Sequence, residues 1–224
     1  MRGLRQGRRR WRRAWGERCA CTARYGFILR GMGQVRELLR ERPWGLRQAR
    51  LLAEEIGDYG PSLRALVQEL FSEEVAVRKR AADVARRITD RDPAPLERYA
   101  DELAGLLESL AVEESQTRWH LALVVARVAH TRMQRLRAAR TMSLLVEDES
   151  NALRCAAMEG MATLALGEPS LREQAEGLVE QFLWNGTPAM KARARHMRKL
   201  LGRKCGDDAD DGGTVRERAH QAAR

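Results

Sequence analysis

From Val77 to Ile88 the chain reads "VRKRAADVARRI", with apolar residues recurring every three or four positions and cations filling the gaps. That period is the signature of a helix with one buried stripe. The same register returns in "TRWHLALVVARV", "LRCAAMEGMATL" and "MKARARHMRKLL", anchored on Arg78, Arg118, Arg154 and Lys191 at spacings of 40, 36 and 37 residues. The mainly apolar offsets −1, +3, +7 and +10 from the anchors fall on one side of the wheel. Leu121, Val128 and Leu164 are therefore predicted core.

A second helical pattern precedes each of these. It ends at a constant distance, with Leu70, Leu110, Val146 and Leu183 each eight positions before its anchor. The four upstream segments read "PSLRALVQELF", "PLERYADELAGLLESL", "MQRLRAARTMSLLV" and "SLREQAEGLVEQFLW", and acidic or polar turns join each to its partner. A less regular pair, "GQVRELLRER" and "WGLRQARLLAEEIGD", lies further upstream. With aromatics at 5% and no alternating runs, nothing predicts a strand. The fold class expected is all-α. Because a pair with one stripe per helix cannot bury it alone, successive pairs should stack into an α-solenoid of four to five repeats.

"SEEVAVRKRAADVARRI" and "EDESNALRCAAMEGMATLAL" resemble HEAT repeats, in which an acidic turn leads into a second helix beginning Val-Arg. The order of "AAD" at 81 to 83, "RWHLA" at 118 to 122 and "GTPAMKARAR" at 186 to 195 is similar to small bacterial HEAT-repeat proteins, over roughly residues 60 to 202. The resemblance implies an armadillo-type fold. It also implies that Arg78, Arg118 and Arg154 each meet an acid of a neighbouring turn, drawn from Glu73, Glu74, Glu113, Glu114, Glu147 and Asp148.

In such a stack the second helices line the concave surface, and offsets +1, +5 and +8 face away from the core stripe. They are Lys79, Asp83 and Arg86; Trp119, Leu123 and Ala126; Cys155, Glu159 and Ala162; and Ala192, His196 and Lys199. Trp119 and Leu123, ringed by the charges of Lys79, Arg86, His196 and Lys199, have the makeup of a protein-binding centre. The expected function is a non-catalytic scaffold holding a protein partner on that face.

Charge changes this picture only at one end. The net charge is +10, yet residues 1 to 30 hold ten Lys+Arg against one acid, and the remainder is close to neutral. Residues 1 to 31 read as a basic arm, 32 to 203 as the repeat domain and 204 to 224 as a mixed tail, both ends predicted disordered. Translation from Met32 would remove the arm. Arg8, Arg9, Arg10, Arg12 and Arg13, interleaved with Trp11 and Trp15, could neutralise phosphates and stack on bases, and Arg193 and Arg198 extend the basic character to the last helix. Nucleic acid is thus the rival partner.

Chemistry-bearing motifs are sparse. Four cysteines at 19, 21, 155 and 205 form no C-x-x-C pair, four histidines form no metal spacing, and phosphate-cradling glycine loops and G-x-S-x-G are missing. "DDADDGG" matches calcium-loop positions at Asp207, Asp211 and Gly212, but Ala209 and Arg218 stand where ligands are needed. No metal or cofactor is expected. An enzyme like the HEAT-like glycosylases of DNA alkylation repair or the bilin lyases is the least favoured alternative, with Cys155 and Glu159 as its only candidates. No apolar run approaches the roughly 18 residues of a membrane-spanning helix, and the expected location is the cytoplasm.

Overall fold

A computed structural model describes residues 32–57 and 60–202 of the chain. Among these residues every regular element is helical. They fall into two compact units, one ending at Ile88 and the other beginning at Thr89, where the sequence drew one repeat domain over 32–203. The arm and the tail, with the disorder expected of them, lie outside the described residues.

The first unit holds helices α1 (Met32–Arg40), α2 (Leu46–Ile56), α3 (Gly60–Leu70) and most of α4 (Val75–Thr89). α1 packs on α3, and Val35, Leu38 and Leu39 supply its buried side. On α4 the expected stripe of Val77, Ala81, Ala85 and Ile88 is buried. Polar contacts tie the unit across long sequence distances. Glu74, in the turn before α4, accepts hydrogen bonds from Arg36 Nη2 at 3.0 Å and Arg40 Nε at 3.1 Å, and from Arg40 Nη2 as well. Arg80 Nη1 donates to the carbonyls of Leu39 at 2.6 Å and Glu41 at 3.1 Å, which satisfies groups that the end of α1 leaves open. Gly57 closes α2 at φ 41°, a conformation that favours glycine, with its N–H on the Ala53 carbonyl.

The second unit contains α5 (Ala94–Glu97), α6 (Ala100–Ser109), α7 (Ser115–Val128), α8 (Arg132–Leu145), α9 (Asn151–Gly167), α10 (Arg172–Asn185) and α11 (Pro188–Gly202). Short 3-10 turns at Val112–Glu114 and Pro169–Leu171 lead into α7 and α10. The helices pack in pairs: α6 with α7, α8 with α9, α10 with α11. The second members also pack on one another, α7 on α9 and α9 on α11. Leu121, Val125 and Val128 of α7 and Leu153, Ala157, Met161 and Leu164 of α9 are all no more than 2% exposed, as the anchor-based register expects of its core positions. On α11 the +7 position is Arg198, which is exposed, and Met197 takes its place in the core.

One expected helix is interrupted. The segment from Pro95 to Leu110 divides into α5 and α6, because Tyr99 sits at φ −104° and ψ 11° and its N–H bonds the Leu96 carbonyl three residues back. The break lets Leu96, Ala100 and Leu103 all reach the core. The starts of α8 and α9 are fixed locally. Thr131 and Gln134 form a capping box, with Gln134 N–H on Thr131 Oγ1 at 3.3 Å and Thr131 N–H on Gln134 Oε1 at 3.2 Å. Ser150 Oγ accepts the Leu153 N–H at 3.4 Å in the same role.

Candidate functional site

The anchor arginines set how much charge remains for binding. Arg118 Nη1 donates to Asp148 Oδ2 at 2.8 Å, from α7 to the turn that opens α9, with both side chains about one-tenth exposed. Asp148 also accepts the Ser150 N–H at 2.9 Å, so one carboxylate shapes the turn and receives the neighbouring cation. That is the expected ladder contact. Arg154 departs from it: its Nε donates to the Val146 carbonyl at 3.0 Å, and its guanidinium lies 5.7 Å from the Phe182 ring centre. Arg78 donates, among its contacts, to the carbonyl of its own preceding turn, at Ser72. The fork of five arginine donors lets one side chain serve a backbone carbonyl and other groups at once.

Two further arginines escaped the sequence reading. Arg135 donates from Nε to the Ala129 carbonyl at 3.1 Å and from Nη1 to the Gly167 carbonyl at 2.9 Å, so it clamps the C-terminal ends of α7 and α9. Arg172 donates to the Leu201 carbonyl near the end of α11. A cation there satisfies open carbonyls and complements the helix dipole. Both residues stand nineteen positions before their anchors, Arg154 and Lys191. The repeat register contained that signal.

The residues expected to form the binding face do not share one environment. Lys79 and Arg86 belong to the first unit. Lys79 is half-buried, and Asp83 pairs within its own helix, lying 3.5 Å from Arg86 Nη2 and 3.0 Å from Arg87 Nε. Trp119, Leu123, His196 and Lys199 belong to the second unit. Leu123 is 5% exposed, which corrects its expected outward orientation. The cause is packing on several sides of α7: α6, α8 and α9 all touch it, and every residue from Leu121 to Ala126 is buried. Ala126 and Ala162, expected on the same open face, are buried too. Trp119 is half-buried, with its ring edge-on to His120 at 3.9 Å between centroids. The apolar patch of Trp119 with Leu123 therefore does not exist as a pair. His196 and Lys199 are exposed on α11.

What does run along the second helices is a polar row. Arg127 of α7 places Nη1 2.7 Å from Asp90 Oδ1 and Nη2 3.2 Å from Glu159 Oε1 of α9; the other oxygen of Glu159 lies 3.2 Å from Arg193 Nη1 of α11. Four charges of alternating sign thus cross three helices. Arg127 and Glu159 are mostly covered, whereas Arg193 is half exposed. Cys155 is half-buried one turn from Glu159. Burial pushes its thiol above the ordinary value, only partly countered by Arg193 and Arg154, so it stays protonated at neutral pH and is a poor nucleophile. No group of three or more His, Cys, Asp or Glu among the described residues is arranged to hold a metal ion.

Of the nucleic-acid candidates, Arg8, Arg9, Arg10, Arg12 and Arg13 lie outside the described residues. Arg193 is engaged by Glu159, and Arg198 lies 3.8 Å from Glu180 with both side chains more than half exposed. No helix among the described residues is long and apolar enough to cross a membrane. Comparison of the chain with protein-family models, with curated proteins and with solved structures returns no match.

Proposed function

We propose that the chain is an α-solenoid of HEAT-like helix pairs that serves as a non-catalytic scaffold, holding a protein partner along its second helices. The observation that carries this reading is the packing of α7 on α9 and α9 on α11, beneath a row of alternating charges from Asp90 to Arg193. Such a surface fixes partner register through charge complementarity more than it adds raw affinity. Trp119, half-buried at one end of α7, supplies the aromatic anchor that a binding centre commonly uses.

The test is capture from native extract by three forms of the full chain: wild type, Trp119→Ala, and Leu144→Ser on the 77%-exposed outer position of α8. The reading expects one partner to be retained by wild type and Leu144→Ser and lost by Trp119→Ala, with a thermal melt showing the last still folded. A partner lost only with Leu144→Ser would move the binding face to the outer helices and refute the assignment.

A second reading, nucleic-acid binding, is favoured by α11. This helix carries Lys191, Arg193, Arg195, Arg198 and Lys199 with no acid.

A further inference from the structure

We infer that the outward row of α11, centred on Arg195 and Lys199, is the part of the described chain that meets a nucleic-acid phosphate backbone; this rests on the second reading above. α11 buries Met190, Ala194, Met197 and Leu201. At 100° per residue the side opposite that stripe carries Pro188, Ala189, Ala192, Arg195, His196 and Lys199, all of them exposed. Arg195 and Lys199 have no ion-pair or hydrogen-bond partner among the described residues. One turn apart on the same face, their Cβ atoms are separated by about 5–6 Å, and their long side chains can take neighbouring phosphates of one strand.

The flanks of the helix sharpen the assignment. Arg193, on one side, is 3.2 Å from Glu159, and Arg198, on the other, is 3.8 Å from Glu180. A phosphate approaching either flank meets a carboxylate, so contact is confined to the outward row. This moves the expected contacts off Arg193 and Arg198. The outward face also lacks any large apolar residue, which is what a protein hot spot needs. Its attraction is purely cationic, the kind that phosphate neutralisation exploits through counterion release.

The experiment uses the full chain, a fluorescent duplex of about 20 base pairs, and anisotropy titrations from 50 to 200 mM NaCl, a range over which such contacts are strongly felt. Arg195→Gln/Lys199→Gln is compared with wild type and with the control Arg64→Gln/Arg140→Gln, whose two arginines are exposed on α3 and α8. Two lost contacts should lower the log-log salt slope by ~1.8, so wild type loses about 12-fold more affinity across that range than the variant does. The control should keep the wild-type slope. Binding by wild type with an unchanged slope in Arg195→Gln/Lys199→Gln overturns this inference and leaves nucleic-acid binding to another part of the chain. No binding by wild type even at the lowest salt overturns the second reading and the inference together. Equal competition by a polyglutamate of matched charge would make the row a general acidic-ligand surface, and would also overturn the assignment.

Discussion

Gly160 stands where α9 crosses both α7 and α8. A Cβ there would lie 2.8 Å from Met142 Sδ, 3.2 Å from Ala126 Cβ and 3.3 Å from Met142 Cγ. Two effects compete in Gly160→Ala. Replacing a mid-helix glycine by alanine favours the helix by about 1 kcal/mol. Forcing a methyl into a closed core costs about 1–3 kcal/mol. Met142 is fully buried and Ala126 is 3% exposed, so neither can swing into solvent, and the packing cost should win by about 1 kcal/mol. Met142→Ala alone should cost about 2–5 kcal/mol through the cavity it leaves. In that background the new methyl has room, and Gly160→Ala should turn neutral or stabilising, a coupling of about 1–3 kcal/mol. Urea unfolding of the four proteins by far-UV circular dichroism, compared at equal m-value, measures this cycle. If Gly160→Ala stabilises by the full propensity of about 1 kcal/mol and the cycle shows no coupling, α9 does not cross α7 and α8 at this point.

Glu74, bonded first by Arg40 and then by Arg36, has its pKa lowered from 4.5 to about 2. Its contribution to stability is therefore fully present above the ordinary carboxylate value and is lost as pH falls from there through about 2. Acid unfolding followed between those limits should be steeper for wild type than for Glu74→Gln, and parallel curves would contradict the pairing. Arg118→Met strands the carboxylate of Asp148, though the Ser150 N–H still serves it, and should cost about 2–4 kcal/mol, near the low end for breaking a buried pair. A loss below about 0.5 kcal/mol in the same denaturation assay would place the pair in solvent.

The helix pairs were legible because their signal is local. An apolar stripe at helical period shows in any twelve residues, and acidic turns mark where each pair folds back. Even the core positions of α7 and α9 could be counted from Arg118 and Arg154. The binding face was less legible for a physical reason. Wheel arithmetic tells which side of a helix is apolar, but it treats the opposite side as open. α7 is touched by α5, α6, α8 and α9, so Leu123 and Ala126 are buried although they lie away from its core stripe. α11, with α9 and α10 on one side only, keeps His196 and Lys199 in solvent at the equivalent positions. How many neighbours a helix has is a property of the tertiary packing, and no window along the chain contains it. Carbonyl clamps such as Arg135 and Arg172 show in the sequence only as a shared spacing of nineteen positions before their anchors, since an arginine bonded to a distant helix end otherwise looks like any solvated cation.

The central claim is that these pairs stack as repeats, each supported by its neighbours alone. Gly186 closes α10, and a Cβ there would run into the Phe182 carbonyl oxygen and lie 2.9 Å from Met190 Cβ, so Gly186→Ala strains the last pair directly. Native-state hydrogen exchange of wild type and Gly186→Ala, resolved by helix, tests the claim. A stack predicts faster exchange in α10 and α11 of the variant, with α6 and α7 nearly unchanged, because stability in such arrays is a sum of local and nearest-neighbour contributions. Equal acceleration of every helix from α6 to α11 would show one cooperative globule and contradict the repeat architecture on which the proposed scaffold depends.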